Sequence, residues 1–73
     1  MRTITMSTIV IVSGELPPSA KRLPQILAPH AERQARFEGV EIVGYTGATF
    51  LRLPGQPTGW EITGIYKVRR PRL

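Results

Sequence analysis

The hydrophobic pattern begins with a β-branched, apolar run at residues 8–13, in which polar and apolar positions do not strictly alternate. Such a run is typical of a strand that is covered on both faces or lies centrally in a sheet. Gly14 follows, and Pro17 and Pro18 cannot continue a hydrogen-bonded ladder because proline lacks a backbone donor. The pattern therefore predicts a strand that ends at Gly14.

Residues 19–39 are rich in helix-favouring Ala, Gln, Arg, Leu and Glu. Two prolines restrict the helix, because proline is well tolerated only in the first turn. The regular part is therefore predicted to run from Pro24 or Pro29 to Phe37, with Gly39 as its stop signal. One apolar stripe is expected to face the core, formed by Leu23, Ile26, Leu27, Ala31, Ala35 and Phe37.

From Val40 onward the apolar period changes to two, which indicates strands. A two-residue turn at Thr46 and Gly47 would pair the flanking residues in a single register. In that register the inner face carries Ile42 opposite Leu51 and Val40 opposite Leu53, and the outer face carries Val43 opposite Phe50 and Glu41 opposite Arg52. The pattern predicts a β-hairpin centred on these two residues.

Residues 54–59 contain two prolines and two glycines and are predicted to form a loop. In the last strand that follows, alternate positions are expected to face the core: Trp60, Ile62, Tyr66 and Val68. For Trp60 a core position with its N–H at the wet edge is favoured over a stacking platform for bases. The predicted fold is α+β, with the order strand, helix, strand, strand, strand and a mostly antiparallel four-stranded sheet.

A single helix covers only one face of such a sheet, so the other face is expected to remain available for a partner. The side chains predicted there are Val43, Tyr45, Phe50, Arg52 and Ile65, with Lys67 at the rim. Protein interfaces are enriched in this mixture of aromatic, aliphatic and arginine side chains. A homodimer that pairs these faces is an alternative to the monomer that we expect.

The net charge of +5 is concentrated at the C-terminal end of the chain. Four of the ten basic residues lie there, namely Lys67, Arg69, Arg70 and Arg72. The rest of the chain has six basic and five acidic residues. We expect one domain at residues 1–68 and a flexible basic tail at 69–73. The tail is either a solubilising terminus or an electrostatic arm that captures a negatively charged partner.

Few side chains are available for catalysis. The chain has no cysteine, no aspartate, one histidine and five glutamates, so neither an enzyme, a cofactor site nor a metal site is expected. His30 has no second ligand at metal-binding spacing and is interpreted as a surface residue. The glycines of residues 44–47 have the spacing of a phosphate-clamping KH loop, but a turn between strands is the better interpretation.

No segment approaches the roughly 20 apolar residues of a membrane span, and threonines and serines interrupt any signal-peptide core. We therefore expect no membrane association and a cytoplasmic location.

As a whole, the chain resembles small phage-encoded transcription regulators that bind host bacterial RNA polymerase, such as that of a lytic Xanthomonas phage. The resemblance rests on the Met-Arg-Thr-Ile-Thr-Met opening, the Ile-Val-Ile-Val strand at 9–12 and the Val-Arg-Arg-Pro-Arg-Leu ending. It implies a non-enzymatic protein that binds near the amino terminus of the polymerase β′ subunit, displaces σ to block initiation, and suppresses termination. An alternative from composition is a sequence-nonspecific nucleic-acid-binding module that uses the arginine-rich tail and exposed aromatics.

Overall fold

The structure is a computed structural model that describes residues 4–71. Its elements are β1 (Ile4–Ser13), α1 (Leu23–Glu38), β2 (Glu41–Leu53) and β3 (Gly59–Arg69). The strands form one three-stranded sheet in the order β1-β3-β2, and β3 is antiparallel to both neighbours. The α+β class is as predicted, but the prediction of a four-stranded sheet is wrong. No helix within the described range is long and apolar enough to cross a membrane.

The sheet has three strands because the turn predicted at Thr46 and Gly47 does not form. β2 continues through these residues as a single strand with two β-bulges. Val43 and Thr46 are the extra residues of the bulges in the pairing with β3. The Thr46 hydroxyl donates a hydrogen bond of 2.9 Å to the Ile65 carbonyl, which supports the second bulge. The chain instead reverses in the proline- and glycine-rich loop at 54–58, as that composition predicted.

The predicted helix is confirmed, although it begins one residue before Pro24 and continues through Pro29. Pro24 lies in the first turn, where the missing N–H has no intrahelical partner in any case. Gly39 ends the helix with φ 70° and ψ 37°, a left-handed conformation that glycine adopts without steric cost. Beyond it, the Val40 N–H donates to the Ala35 carbonyl over 2.9 Å, which closes the C-terminal turn.

The core lies between α1 and one face of the sheet. The helix contributes a stripe of four buried residues, and β1 and β3 contribute alternate positions: Leu23, Leu27, Ala31, Ala35, Met6, Val10, Ile62, Tyr66 and Val68. Phe37 was predicted to join this stripe but is 92% exposed, because it lies one residue off the apolar face of the helix. Ile62, Tyr66 and Val68 face the core as predicted.

β1 is an edge strand, not the central or doubly covered strand that its composition predicted. Its even-numbered residues pack beneath α1, whereas Ile9 and Ile11 point away from the helix and are 60% and 65% exposed. The central position belongs to β3, which pairs along its whole length on both sides. One apolar surface of β1 is therefore available to a partner.

Candidate functional site

The sheet face turned away from α1 is uncovered within residues 4–71, and we call it the open face. Its members follow from the strand register, since residues that pair directly across an antiparallel sheet lie on the same face. It is formed by Thr5, Ser7, Ile9, Ile11, Ser13, Glu41, Thr49, Leu51, Leu53, Glu61, Thr63, Ile65, Lys67 and Arg69.

An apolar patch occupies the middle and one end of the open face. Ile11 lies opposite Glu61, which in turn lies opposite Leu51, so these three side chains form one row across the sheet. Ile9 is on the same face of β1 two residues away, and Ile65 of the central strand is half-buried. Leu51 is 59% exposed. These large aliphatic groups share one face of the sheet, with the half-buried Glu61 between Ile11 and Leu51.

The other end of the open face carries charge. The Arg69 Nε atom lies 3.0 Å from the Glu41 Oε2 atom, and the two side chains are 47% and 50% exposed. An exposed pair of this kind contributes little to stability, in the range of about 0–1 kcal/mol. Lys67 is also exposed on this face. The apolar patch therefore has a polar rim with a basic component.

The predicted partner-binding residues divide between the two faces of the sheet. Ile65 and Lys67 lie on the open face as predicted. Arg69 was predicted to belong to the flexible tail but is the last residue of β3, on the same face. Val43 is 51% exposed at the first bulge, where it and Gly44 oppose Lys67. Arg70 is exposed just after β3, and Arg72 lies outside the described residues.

Tyr45, Phe50 and Arg52 are on the side that carries α1, so their predicted place on the outer face is wrong. They pair with core-facing residues of β3: Tyr66, Ile62 and Trp60 respectively. The error follows from the missing turn, because a turn would have returned Phe50 to the face of Val43, whereas a continuous strand does not. The pairing of Glu41 with Arg52 is replaced for the same reason by Glu41 with Arg69.

These aromatic residues remain partly exposed because α1 is shorter than the sheet. Its 16 residues span about 24 Å, whereas the 13 residues of β2 span about 40 Å. The Phe50 ring meets Trp60 edge-on at 6.4 Å, and Tyr45 meets Tyr66 at 5.5 Å. They therefore extend the core beyond the reach of the helix, which is a structural role.

Trp60 takes the position predicted for it. Its ring is half-buried, and its indole N–H donates a hydrogen bond of 3.0 Å to the Gly14 carbonyl. This bond ties the start of β3 to the end of β1. The ring lies on the helix side of the sheet at the margin of the core, in edge-on contact with Phe50.

The hydroxyl of Tyr66 is buried and has no hydrogen-bond partner among residues 4–71. Burial raises the pKa of this phenol, and the neighbouring Tyr45 phenol raises it further. A cavity of about 420 Å³ lies beside it, lined largely by apolar groups of α1 and β2. The hydroxyl itself has almost no accessible surface, so the cavity does not present it to a ligand.

Sequence reasoning missed Ile9, Ile11 and Leu51 as members of the site. The run Ile-Val-Ile-Val at 9–12 is apolar on both faces, a pattern that favours a strand covered on both faces or central in its sheet. The same pattern is produced by a strand with one face in the core and the other in an interface. The sequence of this run is therefore compatible both with a doubly covered strand and with a strand that forms an interface.

Within the described residues, no group of three or more histidine, cysteine, aspartate or glutamate side chains could hold a metal ion. His30 is exposed on α1. Comparisons with protein-family models, curated proteins and solved structures found nothing that matches this chain. The geometry of the open face therefore carries the functional argument.

Proposed function

We propose that the protein is a non-enzymatic regulator that docks through its open face onto host bacterial RNA polymerase. In this proposal it binds the N-terminal region of the β′ subunit in the host cytoplasm, blocks σ-dependent initiation by displacing σ, and suppresses termination. Two arguments support it: the whole-chain resemblance to phage regulators of this type, and the apolar patch of the open face. The patch carries the case for docking, and the resemblance supplies the identity of the partner.

Docking of the patch would be driven by removal of apolar surface from water. Ile9, Ile11 and Leu51 each keep about 60% of their surface exposed. Complete burial of an aliphatic side chain stabilises by roughly 1.5–3 kcal/mol, so each of these has on the order of 1 kcal/mol still to gain. Three such residues in one patch are enough to anchor a small interface, with Lys67 at its rim.

Regulation of this kind requires no chemistry in the small protein. A bound protein changes the affinity of the polymerase for another ligand whenever the two occupy the same surface or favour different conformations. Displacement of σ would follow from either route.

The test is retention of purified bacterial RNA polymerase on the immobilised protein, with an Ile11→Glu variant. A carboxylate in the middle of the patch would have to be desolvated beside Glu61, so we expect retention to fall at least about tenfold. Phe37→Glu is the matched control, because Phe37 is 92% exposed on α1 and lies away from the open face. Equal retention by both variants, or none by the wild type at moderate salt, would contradict the proposal.

The alternative is a nonspecific nucleic-acid binder, favoured by the exposed Lys67 and Arg70 near the end of β3. Deletion of residues 67–73 is a poor test because Lys67 and Val68 pair with both neighbouring strands. An Arg70→Gln, Arg72→Gln double variant leaves the sheet intact. If both arginines contact phosphates of duplex DNA, the slope of log affinity against log salt should change by roughly 1.8 units. A gel shift without binding at low salt excludes this function.

A further inference from the structure

The two edges of the sheet are not equivalent. The β2 edge carries two bulges, a glutamate and an arginine, which are features that discourage pairing with another strand. The β1 edge, Ile4–Ser13, has no charged residue, no proline and no register shift along its pairing with β3. A long regular edge without such protection is a template for strand addition.

Hydrogen bonds identify which backbone groups of β1 face outward. The Gly14 N–H donates a hydrogen bond of 2.8 Å to the Thr58 carbonyl, and this pair continues the β1–β3 register. Hydrogen-bonded pairs alternate along an antiparallel ladder, so the even-numbered residues of β1 bond to β3. Odd-numbered residues therefore direct their N–H and C=O groups to the free edge. The Ser7 carbonyl agrees with this, because it accepts a hydrogen bond of 2.7 Å from the Gln34 side chain instead of from β3.

Gln34 closes only the first half of this edge. Its side chain also accepts a hydrogen bond from the Thr8 hydroxyl over 2.9 Å, so it is held in place over Ser7. The outward backbone groups of Ile9, Ile11 and Ser13 have no such cover within the described residues. This accessible length suits an added strand of about five residues.

A cavity of about 400 Å³ lies at the uncovered end of the edge. It is lined by residues of β1, of α1 and of the connection between them, and none of its lining comes from β2 or β3. It therefore opens on the outer side of β1. Val12, Leu16 and Ile26 provide apolar walls, and Arg22 also lines the cavity.

We propose that the β1 edge from Ile9 to Ser13 binds an extended segment of a partner protein as a fourth strand. One apolar side chain of that segment enters the cavity, and a carboxylate, from Asp, Glu or a chain terminus, meets Arg22. The inference rests on the proposed function in that it describes how a protein partner is held.

Charge favours an acidic segment over a second copy of this chain. A second β1 strand contains no carboxylate that could meet Arg22. The two chains would also carry a net charge of +5 each. Like charges at an interface oppose association, whereas an acidic segment complements them.

The test is selection of binders from a random dodecapeptide display library on the immobilised wild-type protein. We expect the selected peptides to alternate apolar residues and to carry an acidic residue at a constant spacing. In amide hydrogen exchange, a bound peptide should slow the exchange of Ile9, Ile11 and Ser13 and leave that of Val10, already bonded to β3, unchanged. Unchanged exchange at the odd positions would overturn the proposal, and this measurement needs no variant.

Substitutions separate the backbone edge from the side chains of the open face. Ile11→Pro removes an outward N–H, at a type of position where edge strands tolerate proline, and should weaken peptide binding at least about tenfold. Ile11→Thr keeps the N–H and should weaken it no more than about threefold. Equal losses would assign binding to the open face and overturn the proposal. Far-UV circular dichroism confirms that both variants are folded.

Arg22→Gln should weaken binding of the acidic peptides about tenfold, and Lys21→Gln, which does not line the cavity, should have little effect. Sedimentation that shows a dimer abolished by Ile11→Pro would identify a second copy as the occupant and overturn the proposal. These assays contain no polymerase. Peptide binding without polymerase retention therefore contradicts only the proposed function, and the reverse result contradicts only the strand addition.

Discussion

The packing of α1 on the sheet makes a sharp prediction at Gly64, which lies beneath the fully buried Leu27. A methyl group added at Gly64 would lie 2.7 Å from the Leu27 Cδ1 atom and 3.2 Å from the Tyr66 ring. Because both neighbours are buried, α1 or Leu27 must shift to make room. We expect Gly64→Ala to destabilise the protein.

The magnitude follows from two opposing effects. Overpacking of a well-packed core costs about 1–3 kcal/mol. Replacement of glycine by alanine in a strand returns about 0.5–1 kcal/mol through the lower entropy of the unfolded chain. The net loss should be about 0–2.5 kcal/mol, with a central value of about 1 kcal/mol. A domain of 73 residues has a total stability of about 4–11 kcal/mol, so the change is easily measured.

Urea unfolding followed by the fluorescence of Trp60 provides the assay. With an m-value of about 1 kcal/mol per M, the midpoint should fall by about 1 M. Gly44→Ala is the matched control, since the same methyl group in the same sheet would have no atom within 4 Å. Gly64→Ala with the stability of Gly44→Ala would refute the packing argument. Leu27→Val should partly rescue Gly64→Ala, because it withdraws the clashing methyl groups.

Three further predictions concern single groups. Tyr66→Phe should leave stability at pH 7 unchanged or raise it by about 1 kcal/mol, because it removes a buried hydroxyl without a partner in residues 4–71. Folding raises the pKa of Tyr66 above 10.0, so the stability of the wild type should fall as the pH rises from about 10 through the folded-state pKa. Urea titrations across this pH range should show that Tyr66→Phe abolishes this contribution. Gly39→Ala should cost about 1 kcal/mol in thermal unfolding, from the left-handed backbone alone, since no atom lies within 4 Å of the added methyl. Glu41→Gln should cost less than about 0.5 kcal/mol, and the loss should vanish in high salt; a larger, salt-independent loss would contradict an exposed ion pair.

Local signals in the chain were sufficient for the helix and for the last strand. The apolar spacing from Leu23 to Ala35 predicts the buried stripe, and Gly39 marks the end of α1 because few other residues adopt its conformation cheaply. The alternation from Trp60 to Val68 predicts which face of β3 enters the core. Each of these features is set by residues that lie close together in the sequence.

The site was harder to predict because it depends on how β2 pairs. Thr46 and Gly47 are compatible with a turn and also with a bulge, and nothing near them decides between the two. The pairing with β3 decides between them, because β3 forms a ladder with β2 on both sides of Thr46 and Gly47 and so keeps β2 a single strand. This choice moved Tyr45, Phe50 and Arg52 to the helix side.

The sequence by itself determined the α+β class, the helix with its glycine stop, and the core face of β3, because these follow from periodicity and local backbone preference. Only the tertiary structure decided that β1 is an edge strand, that Ile9, Ile11 and Leu51 share an open face, and that odd-numbered backbone groups of β1 point outward. The physical reason is that strand order and register are set by contacts between segments far apart in the chain. A one-residue change in that pairing reverses the face of every side chain in a strand.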